Sequence, residues 1–198
     1  MNGFEKRSAK KKQDVLAAAF EIMNNSEGSK ALTIDKVTAA TKISKATIFK
    51  YFHSKENLIK AVFKNFMAEM AREADLVLQE EKSFNDTFAA LTQLKINRLD
   101  RVSQQFYLDL MACYSQTEDK ELAAFMESYT HKSNEILFSL FQQGRKEGVI
   151  DPKYTDEFLF IYTESMIVGI ADPSIYSRAL PYIKEWSEVL LKGLAPKK

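Results

Sequence analysis

The chain has few of the residues that interrupt helices or form disulfides. Its 198 residues include 6 glycines, 4 prolines and 1 cysteine. A single cysteine excludes an intramolecular disulfide framework, and we expect Cys113 to be a buried apolar residue in a reducing cytoplasm. Scarce glycine and proline in a sequence rich in Ala, Leu, Glu and Lys favour helix over sheet. We therefore predict an all-α protein.

Long apolar runs and catalytic motifs are also missing. No segment approaches the ~20 apolar residues of a membrane span, and the N-terminus lacks a signal-peptide core, so we expect no membrane partner. The sequence has no phosphate-binding glycine loop, no HExxH, no paired cysteines and no Gly-x-Ser-x-Gly. His131 has no second ligand at metal spacing. These absences predict a protein that is not an enzyme and needs no metal or cofactor.

Charge is distributed unevenly along the chain. The formal net charge is only +1, yet residues 1–60 contain 12 Lys and Arg against 6 Asp and Glu, a net charge of +6. The remainder carries a net charge of −5. This asymmetry indicates that the N-terminal part meets an anionic partner.

Apolar residues recur at helical spacing through most of the chain. The pattern predicts a first helix to about Asn24, short helices that begin at Ile34 and Lys45, and a longer helix from Lys55 to about Gln79. Further helices are predicted at about 84–98, 101–115, 119–147, 155–171 and 175–193.

Two of the short helices form a candidate helix-turn-helix over about residues 33–52. Thr33 and Ser44 are suited to cap them, because each hydroxyl can accept a hydrogen bond from a free backbone amide. On the second of these helices, Ile48 and Phe52 are four residues apart and are expected to face inward. The residues left facing outward are polar, cationic or aromatic, which suits DNA bases and phosphates: Lys45, Thr47, Phe49 and Lys50.

This segment resembles the TetR family signature. The resemblance rests on Thr33–Ala40, Ile43–Phe52 and Ser54–Leu58, within about residues 11–63. It implies an N-terminal three-helix DNA-binding domain at 1–54 and a larger helical domain for ligand binding and dimerisation at 55–198. The sequence departs from the family pattern at two positions, because the family commonly has Gly where this chain has Lys42 and Ala46. A lysine in the turn strains the backbone by roughly 1 kcal/mol if that position is left-handed.

The resemblance assigns DNA contacts residue by residue. It implies that one set lies nearest the bases, namely Lys45, Ala46, Thr47 and Phe49. A second set lies nearest phosphates, namely Ser44, Lys50, Tyr51, His53 and Lys55. Thr33 is within reach of a phosphate, and Lys42, a departure from the family pattern, adds a cation near the DNA. Three alternatives stay open: Phe49 packs on a neighbouring helix, His53 is an ordinary solvated side chain, or the basic segment Lys6–Lys12 is a solubilising tail.

The C-terminal part offers a candidate dimer interface and a candidate ligand pocket. Wide apolar stripes on the last two predicted helices suit a four-helix bundle with a second copy, through Phe158, Tyr162, Met166, Gly169, Ile183, Trp186 and Leu190. Alternatively, these faces close onto their own subunit.

An apolar or planar ligand would contact aromatic and Met side chains, namely Phe66, Met70, Phe106, Leu110, Tyr114, Tyr129 and Met166. Alternatively, these seven side chains are part of the packed core.

These features together predict a homodimeric repressor that binds a palindromic DNA operator and is released by a small apolar or aromatic effector. An activator or a nucleoid-associated factor would use the same N-terminal residues. A ligand carrier or enzyme in the C-terminal domain is the remaining alternative.

Overall fold

The prediction of an all-α fold is confirmed by a computed structural model that describes residues 3–114 and 119–197. Every regular element in these ranges is a helix. Ten α-helices follow one another as α1 (Gly3–Met23), α2 (Ile34–Thr41), α3 (Lys45–Phe52), α4 (Lys55–Leu78), α5 (Phe84–Leu99), α6 (Gln104–Tyr114), α7 (Lys120–Lys146), α8 (Asp156–Ala171), α9 (Pro173–Ala179) and α10 (Ile183–Leu194). Two 3₁₀ turns are formed by Gly28–Ala31 and Leu180–Tyr182. In the described ranges, no helix is long and apolar enough to cross a membrane.

The chain divides into two compact units. The first unit consists of Met1–Glu69 and Arg101–Ala123, and the second of Met70–Asp100 and Ala124–Lys198. The first unit therefore contains α6 in addition to α1–α3 and most of α4. Helices α4 and α7 each continue from one unit into the other.

Capping hydroxyls begin the short helices of the first unit. Thr33 Oγ1 accepts a hydrogen bond from the Lys36 amide at 3.2 Å, and Ser44 Oγ accepts one from the Thr47 amide at 3.3 Å. Both caps were predicted from the sequence, and both are confirmed by these contacts. They satisfy backbone donors that an α-helix leaves free at its start.

Four phenylalanines pack against one another in the core of the first unit. The ring of Phe106 on α6 lies 5.1 Å from Phe20 on α1, 5.3 Å from Phe63 and 5.4 Å from Phe66, both on α4. All three contacts are edge-to-face, a favourable geometry for aromatic pairs. The cluster packs α6 against the helices that support the helix-turn-helix.

The second unit has its own apolar core, formed by α5, α7, α8, α10 and the segment after α7. The buried members of this core are Phe84, Leu140, Phe141, Ile150, Leu159, Leu190 and Leu194. Gly144 on α7 permits close packing here, since a Cβ at this position would lie 2.8 Å from Ile150 Cδ1 and 2.9 Å from Phe84 Cδ2.

The structure differs from the predicted helices at two places and contains one short element that was not predicted. The helix predicted at 175–193 is divided, because Pro181 has no amide hydrogen to donate and disfavours helical geometry at the preceding residue. Helix α1 begins already at Gly3, so the basic segment Lys6–Lys12 is helical. The 3₁₀ turn after Gly28 was not predicted, because four residues are too few for a periodic signal.

Candidate nucleic-acid interface

The turn between α2 and α3 is held in a left-handed conformation by Lys42. Its φ and ψ angles are 56° and 20°, and its amide donates a 2.8 Å hydrogen bond to the Thr38 carbonyl. This is the conformation for which a glycine is usually required. The strain expected from a lysine at this position is therefore present, and the turn still forms.

Helix α3 presents opposite surfaces to the core and to water. Ile48 and Phe52 are buried, at 1% and 4% exposure, as the spacing predicted. Phe49 is 43% exposed, and Lys45, Ala46 and Lys50 are also exposed. Phe49 is therefore not buried against a neighbouring helix. Contact of this outer surface with DNA remains a prediction.

Lys45 is held at the start of α3 by an ion pair with Asp35 of α2. The two side chains are 57% and 75% exposed, so water screens their attraction. Exposed pairs of this kind contribute about 0–1 kcal/mol. Lys45 can therefore exchange Asp35 for a base or phosphate acceptor at little cost.

The remaining predicted phosphate contacts surround α3. Tyr51 is half-buried, and its hydroxyl accepts a hydrogen bond from Ser8 Oγ of α1 at 3.2 Å. His53 is exposed and ends α3 at φ 66°, with its amide donating to the Phe49 carbonyl. Lys55 is half-buried at the start of α4. Together with Ser44, Thr47 and Lys50, these residues come from one continuous stretch of the first unit.

Polar contacts that were not predicted from the sequence attach α6 to the end of α1. Ser103 donates its amide to Asn24 Oδ1 at 2.6 Å and its hydroxyl to the Asn25 carbonyl at 2.8 Å. Asp109 Oδ2 accepts the Ser29 amide at 2.6 Å. We call this set of five residues the α6 clasp. Its partners are separated by roughly eighty positions in the chain, so no local pattern could have revealed them.

The predicted pocket residues do not lie in one unit. Phe66, Phe106 and Leu110 are buried in the core of the first unit. Met70, Tyr129 and Met166 belong to the second unit, where all three are half-buried and desolvation raises the pKa of the Tyr129 phenol. The side chain of Tyr114 lies outside the described residues. A ligand pocket formed by these seven residues therefore stays a prediction.

The predicted dimer residues also differ in exposure. Phe158, Tyr162 and Trp186 are exposed large apolar side chains. Met166, Gly169 and Ile183 are half-buried, whereas Leu190 lies in the core of its own unit. Four further apolar residues of the same helices are exposed, namely Ile161, Ile167, Val168 and Val189.

A short helix, a tight turn and a second helix with an exposed cationic and aromatic surface define the class as a helix-turn-helix protein. Residues 15–62 match the family model described as "Bacterial regulatory proteins, tetR family". Over these residues the chain is similar to the DNA-binding segment of bacterial regulators of the tetR family.

Similar curated proteins include two kinds of bacterial regulator. The nucleoid occlusion factor SlmA of Pectobacterium carotovorum subsp. carotovorum (strain PC1) is 29% identical over 84 residues, which are 41% of this chain and 42% of SlmA. The uncharacterized HTH-type transcriptional regulator YhgD of Bacillus subtilis (strain 168) is 25% identical over 150 residues, 73% of this chain and 75% of YhgD. The chain thus matches less than half of SlmA.

Solved structures show the same fold over nearly the whole chain. FadR from Bacillus subtilis in complex with stearoyl-CoA superposes with a TM-score of 0.64 at 17% identity, covering 91% of this chain and 98% of FadR. Reduced NemR from E. coli superposes with a TM-score of 0.67 at 16% identity, covering 95% of this chain and 99% of NemR. The ketosteroid regulator KstR2 of Mycobacterium tuberculosis gives 0.61 at 13% identity, covering 96% of each chain.

Proposed function

We propose that the chain is a DNA-binding transcriptional repressor that binds a palindromic operator as a homodimer and leaves it when a small effector binds. The orientation of α3 carries the proposal. Buried Ile48 and Phe52 fix the helix on the first unit, while the exposed side chains of Lys45, Phe49 and Lys50 can enter a major groove. Lysine and aromatic side chains in this position suit base edges and the thymine methyl group.

Two lysine variants test the DNA-binding surface. Lys45→Ala and Lys192→Ala each remove an exposed lysine from a solvated ion pair, with Asp35 and Glu188 respectively. Both are therefore expected to have the same small effect on stability. Only Lys45→Ala is expected to weaken operator binding, by about tenfold or more. Fluorescence anisotropy with a palindrome identified by footprinting measures both, and equal operator affinity of the two variants would refute the assignment.

The homodimer is supported by apolar residues that α8 and α10 leave exposed. Val168 and Val189 are 65% and 68% exposed, and Ile161 and Trp186 lie on the same two helices. Clustered exposed apolar side chains indicate a protein interface more often than a free surface. Two helices from each of two copies would bury them in a four-helix bundle.

A charge introduced into this surface tests the dimer. Val168→Asp places a carboxylate in the proposed interface, whereas Leu76→Asp places one on α4 at a residue that is 56% exposed. Burying an unpaired charge is costly, so Val168→Asp is expected to give monomers and Leu76→Asp to leave dimers intact. Sedimentation velocity measures the difference. A wild-type protein that sediments as a monomer at micromolar concentration would contradict the proposal.

The effector and the coupling rest on the architecture of the two units. Helix α4 begins directly after α3 and continues from the first unit into the second. A ligand that favours one orientation of α4 would therefore favour one placement of α3, provided that it binds the two states with different affinities. FadR was solved with stearoyl-CoA, and KstR2 is called a ketosteroid regulator. Both names support an effector with a large apolar part.

A nucleoid-associated factor is the second candidate, favoured by the similarity to SlmA over 84 residues. Genome-wide occupancy separates the two candidates. Binding at a few promoters is expected for a repressor, whereas many scattered sites would favour the second candidate.

A further inference from the structure

Helix α1 begins about three turns before the segment that matches the family model. The match starts at residue 15, whereas α1 starts at Gly3. At about 1.5 Å per residue, this part of the helix is roughly 18 Å long. We call residues 3–14 the α1 extension. It contains five basic and two acidic residues, so its formal net charge is +3.

The α1 extension is attached to α3 at two consecutive residues near the end of that helix. Ser8 Oγ donates a 3.2 Å hydrogen bond to the Tyr51 hydroxyl. One turn further along α1, the Lys12 ammonium lies 5.7 Å from the centre of the Phe52 ring, within the range of a cation–π contact. Phe52 is buried and helps to fix α3, and Tyr51 is a predicted phosphate contact. The extension is therefore held beside the proposed DNA-binding surface, as a free tail would not be.

The side of the extension that faces the protein differs from the sides that carry most of its charge. Ser8 precedes Val15 by seven residues and Ala19 by eleven, close to two and three whole turns, so it is aligned with two fully buried side chains. The remaining basic residues lie on the other sides of the helix and are exposed, namely Lys6, Arg7, Lys10 and Lys11. An exposed cationic helix surface next to a predicted phosphate contact is complementary in charge to DNA.

We infer that the α1 extension is a second DNA-binding element, whose exposed cations bind phosphates beside the groove that α3 enters. The inference rests on the proposed function and extends the DNA-binding surface from one helix to two. Arg7 and Lys11 are each within one turn of Ser8, so a phosphate bound at Tyr51 would be within reach of their long side chains. Phosphate contacts carry no sequence information but raise the affinity for any duplex. The extension therefore contributes affinity, and α3 contributes selectivity.

A neutral extension tests the inference. This variant replaces the four exposed basic residues by glutamine, as Lys6→Gln, Arg7→Gln, Lys10→Gln and Lys11→Gln. The matched control removes the same number of charges from exposed lysines of the second unit, as Lys146→Gln, Lys153→Gln, Lys184→Gln and Lys192→Gln. Fluorescence anisotropy between about 50 and 200 mM salt measures binding of the full-length proteins to the footprinted operator and to a random duplex of the same length.

The neutral extension is expected to lower the affinity for both duplexes by the same factor, about tenfold or more at the lowest salt concentration, because both present the same phosphates. Loss of one phosphate contact from each protomer of the proposed dimer makes the slope of the logarithm of the binding constant against the logarithm of salt concentration shallower by about 1.8. The control is expected to bind both duplexes as the wild type does, since charges that do not contact the duplex are largely screened by salt.

Ala9→Pro distinguishes a helical element from a charged tail, because it keeps every basic residue. A proline inside a helix removes a hydrogen bond and clashes with the preceding turn, so residues 3–8 are expected to lose their helical placement. The rest of α1 can begin at the new proline, since the first helical position tolerates this residue. Ala9→Pro is therefore expected to weaken binding to both duplexes, by less than the neutral extension does.

Equal salt slopes for the neutral extension and its control overturn the inference. An affinity loss confined to the operator also overturns it, because the extension would then recognise bases rather than phosphates. The same holds for an Ala9→Pro variant that binds both duplexes as the wild type does. A wild type that binds the operator no more tightly than the random duplex contradicts the proposed function instead, and the random duplex alone still tests the extension.

Discussion

Replacing Gly28 by alanine tests whether the α6 clasp stabilises the DNA-binding unit. Gly28 has a φ of 60°, and a Cβ there would lie 2.3 Å from Asp109 Oδ2 and 2.6 Å from Gln105 Cγ. The methyl group would therefore displace the carboxylate that accepts the Ser29 amide. Gly148 offers a matched control, because its φ is 70° and a Cβ there meets nothing within 4 Å.

The two substitutions share one cost and differ in another. A left-handed alanine costs about 1 kcal/mol at either position. Gly28→Ala also loses a hydrogen bond to a charged acceptor, which contributes about 1.5–3 kcal/mol. We expect Gly28→Ala to destabilise the protein by roughly 3 kcal/mol and Gly148→Ala by roughly 1 kcal/mol. For a chain of this size, the Tm falls by about 2–4 °C per kcal/mol.

Thermal unfolding followed by circular dichroism measures both variants. If Gly28→Ala is no more destabilising than Gly148→Ala, the clasp contributes nothing and the reasoning is refuted. The double variant Gly28→Ala/Asp109→Ala provides a second check. Because the displaced carboxylate is already absent and only the Gln105 side chain still has to move, adding Gly28→Ala to Asp109→Ala is expected to cost clearly less than the roughly 3 kcal/mol expected in the wild type.

Three further substitutions follow from local features of the first unit. Lys42→Gly relieves the left-handed strain and is expected to raise Tm by up to about 4 °C, so an unchanged Tm would contradict the strain. If Lys42 contacts a phosphate, the slope of the logarithm of the operator-binding constant against the logarithm of salt concentration is also expected to become shallower by about 0.9. The Thr38 hydroxyl is buried without a hydrogen-bond partner in the described residues, so Thr38→Val is expected to stabilise by about 1 kcal/mol in urea unfolding, and destabilisation would refute this. The Asp119 carboxylate accepts a 2.5 Å hydrogen bond from Lys60, which lowers its pKa to about 2. Its contribution to stability is present above its unfolded-state pKa of roughly 3.9 and is lost as the pH falls through about 2. Asp119→Asn is therefore expected to lose less stability than the wild type between about pH 4 and pH 2, and parallel pH profiles would contradict this.

Local chemistry explains why the helix-turn-helix could be predicted in detail. A capping hydroxyl acts on an amide three residues away, and the four-residue spacing of Ile48 and Phe52 determines which side of α3 is buried. Both effects operate within two turns of helix. The predicted orientation of α3 therefore did not depend on any distant part of the chain.

The sequence by itself determined the helical class, the caps and the outward side of α3, because each depends on neighbours within a few residues. Only the tertiary structure decided that α6 packs into the first unit, that Phe106 joins Phe20, Phe63 and Phe66, and that Leu190 is buried within its own subunit. These outcomes depend on contacts between segments far apart in the chain, and a helical pattern shows which side is apolar but not which partner covers it.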